Sequence, residues 1–162
     1  MPRVAIALGS NLGDRRAHLD WAIERLGQIL TSLRASSVRE TDPVGVPDEQ
    51  PAYLNAVVVG ETDRDPQGLL AALMALEQER GRERRSFRAA RTLDLDIILY
   101  GDRAVRAHDL EIPHPRFRDR DFVLGPLAEL APEWIDPVTG LTIGELAVRA
   151  KGKGQRAKGG RR

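Results

Sequence analysis

Residues 91 to 100 read Arg-Thr-Leu-Asp-Leu-Asp-Ile-Ile-Leu-Tyr. Leu93, Leu95, Ile97 and Leu99 alternate with Thr92, Asp94, Asp96 and Ile98, the period of two that a half-buried β-strand requires. One face is apolar and the other carries two carboxylates. Side chains at i and i+2 leave the same face, so Asp94 and Asp96 start about 6.6 Å apart at Cα, from roughly 3.3 Å of rise per residue, and can converge on shared cations. The twelve residues Arg80 to Arg91 hold six arginines against one acid, Glu83. Mutual salt bridging of the two aspartates would use one or two of these. Guanidinium forks match phosphate oxygens bidentately, and acids beside arginines suggest Mg²⁺ with polyphosphate. An Asp-x-Asp pair on a strand also occurs simply facing water, so the spacing alone decides nothing.

Outward from this strand the chain reads as β-α-β-β-α-β. Val4 to Leu8 is a short apolar strand ending at Gly9. Asp14 is placed to cap a helix from Arg15 to about Leu30, in which Leu19, Ala22, Ile23, Leu26 and Leu30 follow the helical stripe. Arg34 to Glu40 is a polar strand. Residues 42 to 51 contain three prolines and form a long loop. Tyr53 to Thr62 alternates again, with Leu54, Ala56 and Val58 on one face and Tyr53, Asn55, Val57 and Val59 on the other. Asp65-Pro66 opens a second helix that stops at Gly81. A short strand near Ala104 to Ala107, an extended Ile112-Pro113-His114-Pro115, a helix from Phe122 to Leu130 and a last helix from Ile143 to Ala150, capped by Thr142, follow.

This order predicts the α+β class: a ferredoxin-like βαββαβ sandwich with an extra C-terminal strand and helices. Both long helices cover Leu93, Leu95 and Ile97. The opposite face is expected to be open, with Asp94 and Asp96 on it and the loops 42 to 51 and 82 to 91 able to fold over them. Residues 1 to 150 form one domain. Residues 151 to 162 hold six basic residues and no acid, and are expected to be a disordered tail without catalytic role.

Composition narrows the chemistry. With 162 residues, 41% hydrophobic and 30% charged, the chain can bury a core. It has no cysteine, which removes disulfides, thiolate catalysis and Cys-ligated zinc. Its apolar runs are too short to span a membrane, so a cytoplasmic protein is expected. The Gly9 to Asp14 stretch lacks the Gly-Lys-Ser/Thr ending of a P-loop. His18 and His108 lack metal-ligand spacing and read as structural or surface residues. His114, held between two prolines, suits either a phosphate contact or a packed loop. Tyr53 and Asn55 on one strand face would suit a planar heterocycle or an ordinary edge-strand pair, and Phe122 could stack on such a ring or anchor its helix.

Several of these stretches together resemble one family. They are Gly9-Ser10-Asn11-Leu12-Gly13, Gln50 to Ala56, Gly81-Arg82, Arg91 to Ile97, Ile112 to Arg116 and Arg120 to Leu124, which are similar, in the family's order, to 6-hydroxymethyl-7,8-dihydropterin pyrophosphokinases. The resemblance implies transfer of a diphosphoryl group from ATP to the pterin hydroxymethyl group, releasing AMP, in folate biosynthesis. It implies Asp94 and Asp96 as ligands of two Mg²⁺ ions, with Arg82 and Arg91 joining them in catalysis. ATP contacts would come from Glu77, Arg82, Arg91, Ile97, His114 and Arg120, and pterin contacts from Thr41, Asp42, Val44, Tyr53, Asn55 and Phe122. Expected partners are these small molecules, with no membrane, no specific nucleic acid and a monomeric state. Departures from some members are Ala89-Ala90 for a tryptophan and proline, Asp42 for a proline and Pro115 for an aromatic residue. Two rival readings are an RNA-binding module of the same fold and a two-metal nucleotidyl transferase. The first sits poorly with acids on the sheet face and 4% aromatic residues.

Overall fold

The computed structural model describes residues 1–41, 52–81 and 92–160, with side chains described to residue 152. Strand β1 (Arg3–Ser10) leads to helix α1 (Arg15–Ile29), whose first turn is capped by Asp14 Oδ1 accepting from the Ala17 N–H at 3.1 Å. The next predicted strand is two pieces, β2 (Thr31–Ala35) and β3 (Arg39–Thr41), which pair in turn with one neighbour, β4 (Tyr53–Glu61). Helix α2 (Pro66–Arg80) starts where proline occupies the first turn and Asp65 Oδ1 accepts from the Gly68 N–H at 2.7 Å. Strand β5 (Asp94–Tyr100) carries the aspartate pair. The sheet is antiparallel along the order β2-β4-β1-β5.

Helices α1 and α2 pack on one face. Leu19 and Leu26 of α1 and Leu69, Leu73 and Leu76 of α2 bury Val4, Ile6 and Leu8 of β1, Val58 of β4, and Leu93, Leu95 and Ile97, as the alternation predicts. The alternation then breaks. Ala5 pairs with Leu99 while Ile6 pairs with Ile97, so β5 has one residue more than β1 at Ile98. A bulge of this kind turns the rest of the strand over. Leu99 therefore leaves the α1/α2 face, and Tyr100 takes its place in that core.

The opposite face is not open, as the sequence reading expected. A 3₁₀ turn (Phe117–Asp119), helix α3 (Asp121–Leu130) and helix α4 (Ile143–Gly160) cover part of it. Phe117, Val123, Leu124, Leu127, Trp134 and Ile143 form a second core there against Ala5, Val57, Val59, Ile98 and Leu99. The reason is the C-terminal third itself, whose helices have apolar faces that require a partner and find it on this side. The short strand expected near Ala104 to Ala107 is β6 (Val105–Ala107), which makes a hairpin with β7 (Leu110–Ile112). Helix α4 opens with reciprocal bonds, the Glu145 N–H to Thr142 Oγ1 at 3.1 Å and the Thr142 N–H to Glu145 Oε1 at 2.9 Å. Its backbone continues ten residues past the predicted end at Ala150, into the expected tail. Once a packed turn exists, each added residue gains one bond, and the Lys, Gln, Arg and Ala of this stretch favour the helix against a cost of about 1 kcal/mol at each of Gly152, Gly154, Gly159 and Gly160. No helix among the described residues is long and apolar enough to cross a membrane.

Candidate active site

The strand register gathers the predicted residues at one end of the sheet. Asn55 of β4 lies opposite Gly9 of β1, and Gly9 lies opposite Asp94 of β5, so the three form one row across the sheet. The next row runs Val57, Ala7, Asp96. These residues share the face of Ala5, away from α1 and α2, because they stand two or four places from it along paired strands. The second core stops short of the Asp94 row: Ile98 and Leu99 are 1% exposed, whereas Asp94 and Asp96 are only partly buried. The face expected for the acids is thus the one observed, at the end of it that the described helices leave uncovered.

At the β4 side, Asn55 is 6% exposed and donates through Nδ2 to Thr41 Oγ1 at 2.8 Å. Thr41 and Tyr53 are register partners, so the hydroxyl, the amide and the phenol cluster at the strand ends. This bond uses one amide hydrogen and fixes which way the Asn55 side chain is turned. Gly9 fits beneath it because it lacks a side chain: a Cβ there would stand 3.3 Å from Asn55 Oδ1 and 3.5 Å from Tyr53 Cδ1. Phe122, partly buried in the first turn of α3, packs on the second core, with the Arg120 guanidinium 5.8 Å from its ring centre. Helix α3 is tied to β3 by Arg39 Nη2 donating to Glu129 at 3.3 Å, and by Ser37 Oγ donating to the same carboxylate at 2.7 Å. Gly125 leaves the room that the Arg39 guanidinium fills.

At the β5 side, the His114 N–H donates to the Ile98 carbonyl at 3.0 Å, which seats that segment on the strand's outer edge. His114 Nδ1 accepts from the Arg116 N–H at 3.1 Å, so the neutral ring carries its proton on Nε2. Burial lowers the His114 pKa below the usual histidine value and the nearby Arg120 lowers it further, against a weaker opposing pull from Asp94. The ring, the guanidinium and the first aspartate therefore belong to one electrostatic neighbourhood, with the imidazole held neutral at pH 7.

Glu77 and Ile97 are placed differently. Glu77 reaches from α2 and accepts the Leu95 N–H at 2.6 Å. It thus lies at the free edge of β5 on the helical side, not on the aspartate face. The Ile97 side chain is 4% exposed in the first core, so only its backbone can meet a ligand, at the edge to which Leu95 two residues earlier turns its N–H. Asp42, Val44, Arg82 and Arg91 lie outside the described residues. Of the histidines read as structural, His18 is an acceptor: Arg80 Nε donates to its Nδ1 at 2.8 Å, and burial, then Arg80, lower its pKa.

Two features escaped the sequence reading. Gly9 ends a strand and stands in the first family stretch, but neither signal discloses that it makes room beneath Asn55 and Tyr53. The second is the pair Arg118 and Asp136, eighteen residues apart and without a spacing that links them. Asp136 is fully buried; it accepts from Arg118 Nε at 2.5 Å and Nη2 at 2.9 Å, from the Val138 N–H at 3.0 Å and from Thr139 Oγ1 at 2.8 Å. Burial acts to raise its pKa, and these donors, Arg118 first, overcome that and hold it below the ordinary carboxylate value.

The donor set of the face is two carboxylates, hard oxygen ligands that are partly open to solvent. Among the described residues no group of three acids or histidines could enclose a metal ion. That combination suits Mg²⁺, which is commonly held by one or two carboxylates and completed by water and substrate phosphates.

Known proteins resemble this chain over most of its length. The family model described as 7,8-dihydro-6-hydroxymethylpterin-pyrophosphokinase matches residues 5–132. A Synechocystis sp. 2-amino-4-hydroxy-6-hydroxymethyldihydropteridine pyrophosphokinase is 43% identical over 87% of this chain and 72% of its own length. The Bacillus subtilis protein of the same name is 40% identical over 89% of this chain and 87% of its own. The Pneumocystis carinii folic acid synthesis protein fol1 is 40% identical, but the chain spans only 19% of it. Among solved structures, Plasmodium falciparum HPPK-DHPS with pterin and p-hydroxybenzoate has a TM-score of 0.74 at 17% identity, covering 96% of this chain and 44% of that one. That last likeness is one of fold.

Proposed function

The chain belongs to the 7,8-dihydro-6-hydroxymethylpterin-pyrophosphokinase family, and we propose on that footing that it transfers the diphosphoryl group of ATP to 6-hydroxymethyl-7,8-dihydropterin, releasing AMP, in folate biosynthesis. The observation that carries the proposal is the row Asn55, Gly9, Asp94 with Asp96 in the row beside it, which sets an amide and two carboxylates on one sheet face, two strands apart. Two strand spacings are about 9.6 Å, a distance across which a pterin and the end of a triphosphate can meet. We read the strand order, with α1 and α2 on one side, as the ferredoxin-like plan with a C-terminal addition.

The reaction is an in-line displacement. The hydroxymethyl oxygen attacks the β-phosphorus, the bond from that phosphorus to the oxygen of the α-phosphate breaks, and AMP departs as the hydroxyl proton is lost. No covalent nucleophile on the protein is needed, only placement and charge stabilisation. Thr41, Tyr53, Asn55 and Phe122 orient the pterin, with Asp42 and Val44 completing the pocket. Asn55, fixed by Thr41, offers an acceptor and its second N–H. His114, through Nε2–H, and Arg120 donate to the nucleotide; the Ile97 backbone meets the base at the free edge, where Glu77, held by the Leu95 N–H, also approaches the nucleotide. Arg82 and Arg91 engage the phosphates. Asp94 and Asp96 would hold two Mg²⁺ ions, which neutralise polyphosphate charge when bound, and Asp96 also lies near the attacking hydroxyl.

The test is to incubate protein, ATP, Mg²⁺ and the hydroxymethyl pterin and follow AMP. AMP that forms only when pterin is present supports the reading. Release of inorganic pyrophosphate instead would assign a nucleotidyl transferase. AMP formed at the same rate without pterin would overturn the proposed acceptor.

A further inference from the structure

The nucleotide-side residues His114 and Arg120 flank a short turn, whose His114 end is seated on β5 by the His114 N–H to the Ile98 carbonyl at 3.0 Å and whose Arg120 end has no such tie to the sheet among the hydrogen bonds of the described residues. Its internal backbone bonds lie at the upper end of the ordinary range or just past it: the Phe117 N–H to the His114 carbonyl at 3.3 Å, the Asp119 N–H to the Arg116 carbonyl at 3.1 Å and the Arg120 N–H to the Phe117 carbonyl at 3.2 Å. Helix α3 begins at Arg120 without a side-chain cap. A turn of this kind leaves its flanking side chains free to shift unless something outside it sets their position.

The outside support comes from below. Phe117 is fully buried in the second core, and the Arg118 guanidinium lies 4.7 Å from its ring centre. The same guanidinium meets the buried Asp136 carboxylate through two parallel N–H groups, at 2.5 and 2.9 Å. Asp136 is itself fixed by the Val138 N–H and the Thr139 hydroxyl, and its backbone pairs with Leu141 and Gly140. Planar, two-point bonding determines direction as well as distance. The Arg118 guanidinium is thus held from two directions, by the Phe117 ring and by the Asp136 carboxylate, and Arg118 stands two residues before Arg120 and four after His114.

We propose that Arg118 and Asp136 are positioning residues for the nucleotide, a clamp that fixes the turn so that His114 and Arg120 present their donors to the triphosphate together. Neither residue touches substrate. The inference rests on the placement of ATP proposed above, since a clamp matters to catalysis only if the two residues it sets are nucleotide contacts. A residue required only for folding would lower the thermal midpoint and the active fraction, leaving the KM of the remaining enzyme unchanged. A positioning residue moves the KM for ATP and spares the pterin side, which lies on β3, β4 and the start of α3.

The experiment compares Arg118→Lys, the double variant Arg118→Met with Asp136→Asn, His114→Ala and Arg120→Ala. The readouts are thermal midpoint, KM and kcat for ATP, and the dissociation constant for hydroxymethyl pterin alone. Lysine keeps a charge for Asp136 but loses the fork, so Arg118→Lys stays folded while its ATP KM rises by about tenfold, as misplacement of positioning groups commonly does. The double variant, which leaves no unpaired buried charge, shows the same rise, and pterin affinity is unchanged in both. Arg118→Lys and the double variant with wild-type ATP KM, beside raised values in His114→Ala and Arg120→Ala, would overturn the clamp and leave the nucleotide site standing. Unchanged ATP KM in His114→Ala and Arg120→Ala would overturn both, because the turn would then carry no nucleotide contact.

Discussion

Replacing Gly9 by alanine separates the stability of this fold from its proposed use. A methyl group there points at the face where Asn55 and Tyr53 sit, 3.3 Å from Asn55 Oδ1 and 3.5 Å from Tyr53 Cδ1. The second distance is ordinary contact; the first requires the amide to give by a few tenths of an ångström. Asn55 cannot turn away freely, because its Nδ2 is bonded to Thr41 at 2.8 Å. The substitution also removes backbone freedom from the unfolded chain, a gain of about 0.5–1 kcal/mol for a strand residue. That gain and the crowding are of similar size, so Gly9→Ala unfolds in urea within about 1 kcal/mol of the wild type. Binding responds otherwise. Misaligning an amide that makes one or two bonds to a planar heterocycle forfeits about 0.5–1.5 kcal/mol per bond, which is roughly a tenfold loss of affinity. Equilibrium titration with hydroxymethyl pterin, monitored by its fluorescence, measures this directly, and ATP titration serves as the control. Unaltered pterin affinity in a stably folded Gly9→Ala variant would show that the Asn55 row is not the pterin floor.

Asp94→Asn and Asp96→Asn are each expected to retain the wild-type circular dichroism spectrum and lose at least about a hundredfold in AMP formation at saturating Mg²⁺, the scale of removing one transition-state stabiliser; rates near wild type in both would refute their role. Stability falls as pH drops below 6.5. His18 and His114 have lowered pKa values in the fold, from 6.5, so the unfolded chain takes up protons first and is favoured as pH decreases, while above 6.5 both states are neutral. The thermal midpoint of His114→Asn should therefore decline less than that of the wild type between about pH 7 and pH 5.5, and parallel curves would show that His114 is not held neutral.

What the sequence disclosed follows from which interactions are local. The strand of Asp94 and Asp96 was legible because acids alternate there with leucines, and a polar residue reports its face. Past Asp96 the chain reads Ile97-Ile98-Leu99-Tyr100, with no polar residue to mark a change of side, so the bulge at Ile98 left no trace. The caps at Asp14 and Asp65 lie three residues from the amides they bind and were readable for that reason. The cover on the second face was not, since Phe117, Leu124 and Leu127 announce an apolar helix surface without saying which side of the sheet receives it.

The same division runs through the site. Aspartate, asparagine, tyrosine and histidine carry chemistry in their side chains, so a resemblance of short motifs could nominate them. What arranges them is carried by residues of another kind: a glycine that makes room by having no side chain, and an arginine and a buried aspartate that meet only when the 3₁₀ turn reaches the segment after α3. The roof over the second face has a consequence for function. By burying Ile98 and Leu99 while stopping before the Asp94 row, it converts half of a sheet surface into a wall and leaves the other half as a floor. A fully open face would give a polyphosphate no fixed direction of approach. On the placement of ATP proposed above, a wall that carries Phe122 and Arg120, beside acids set by strand register, gives it one.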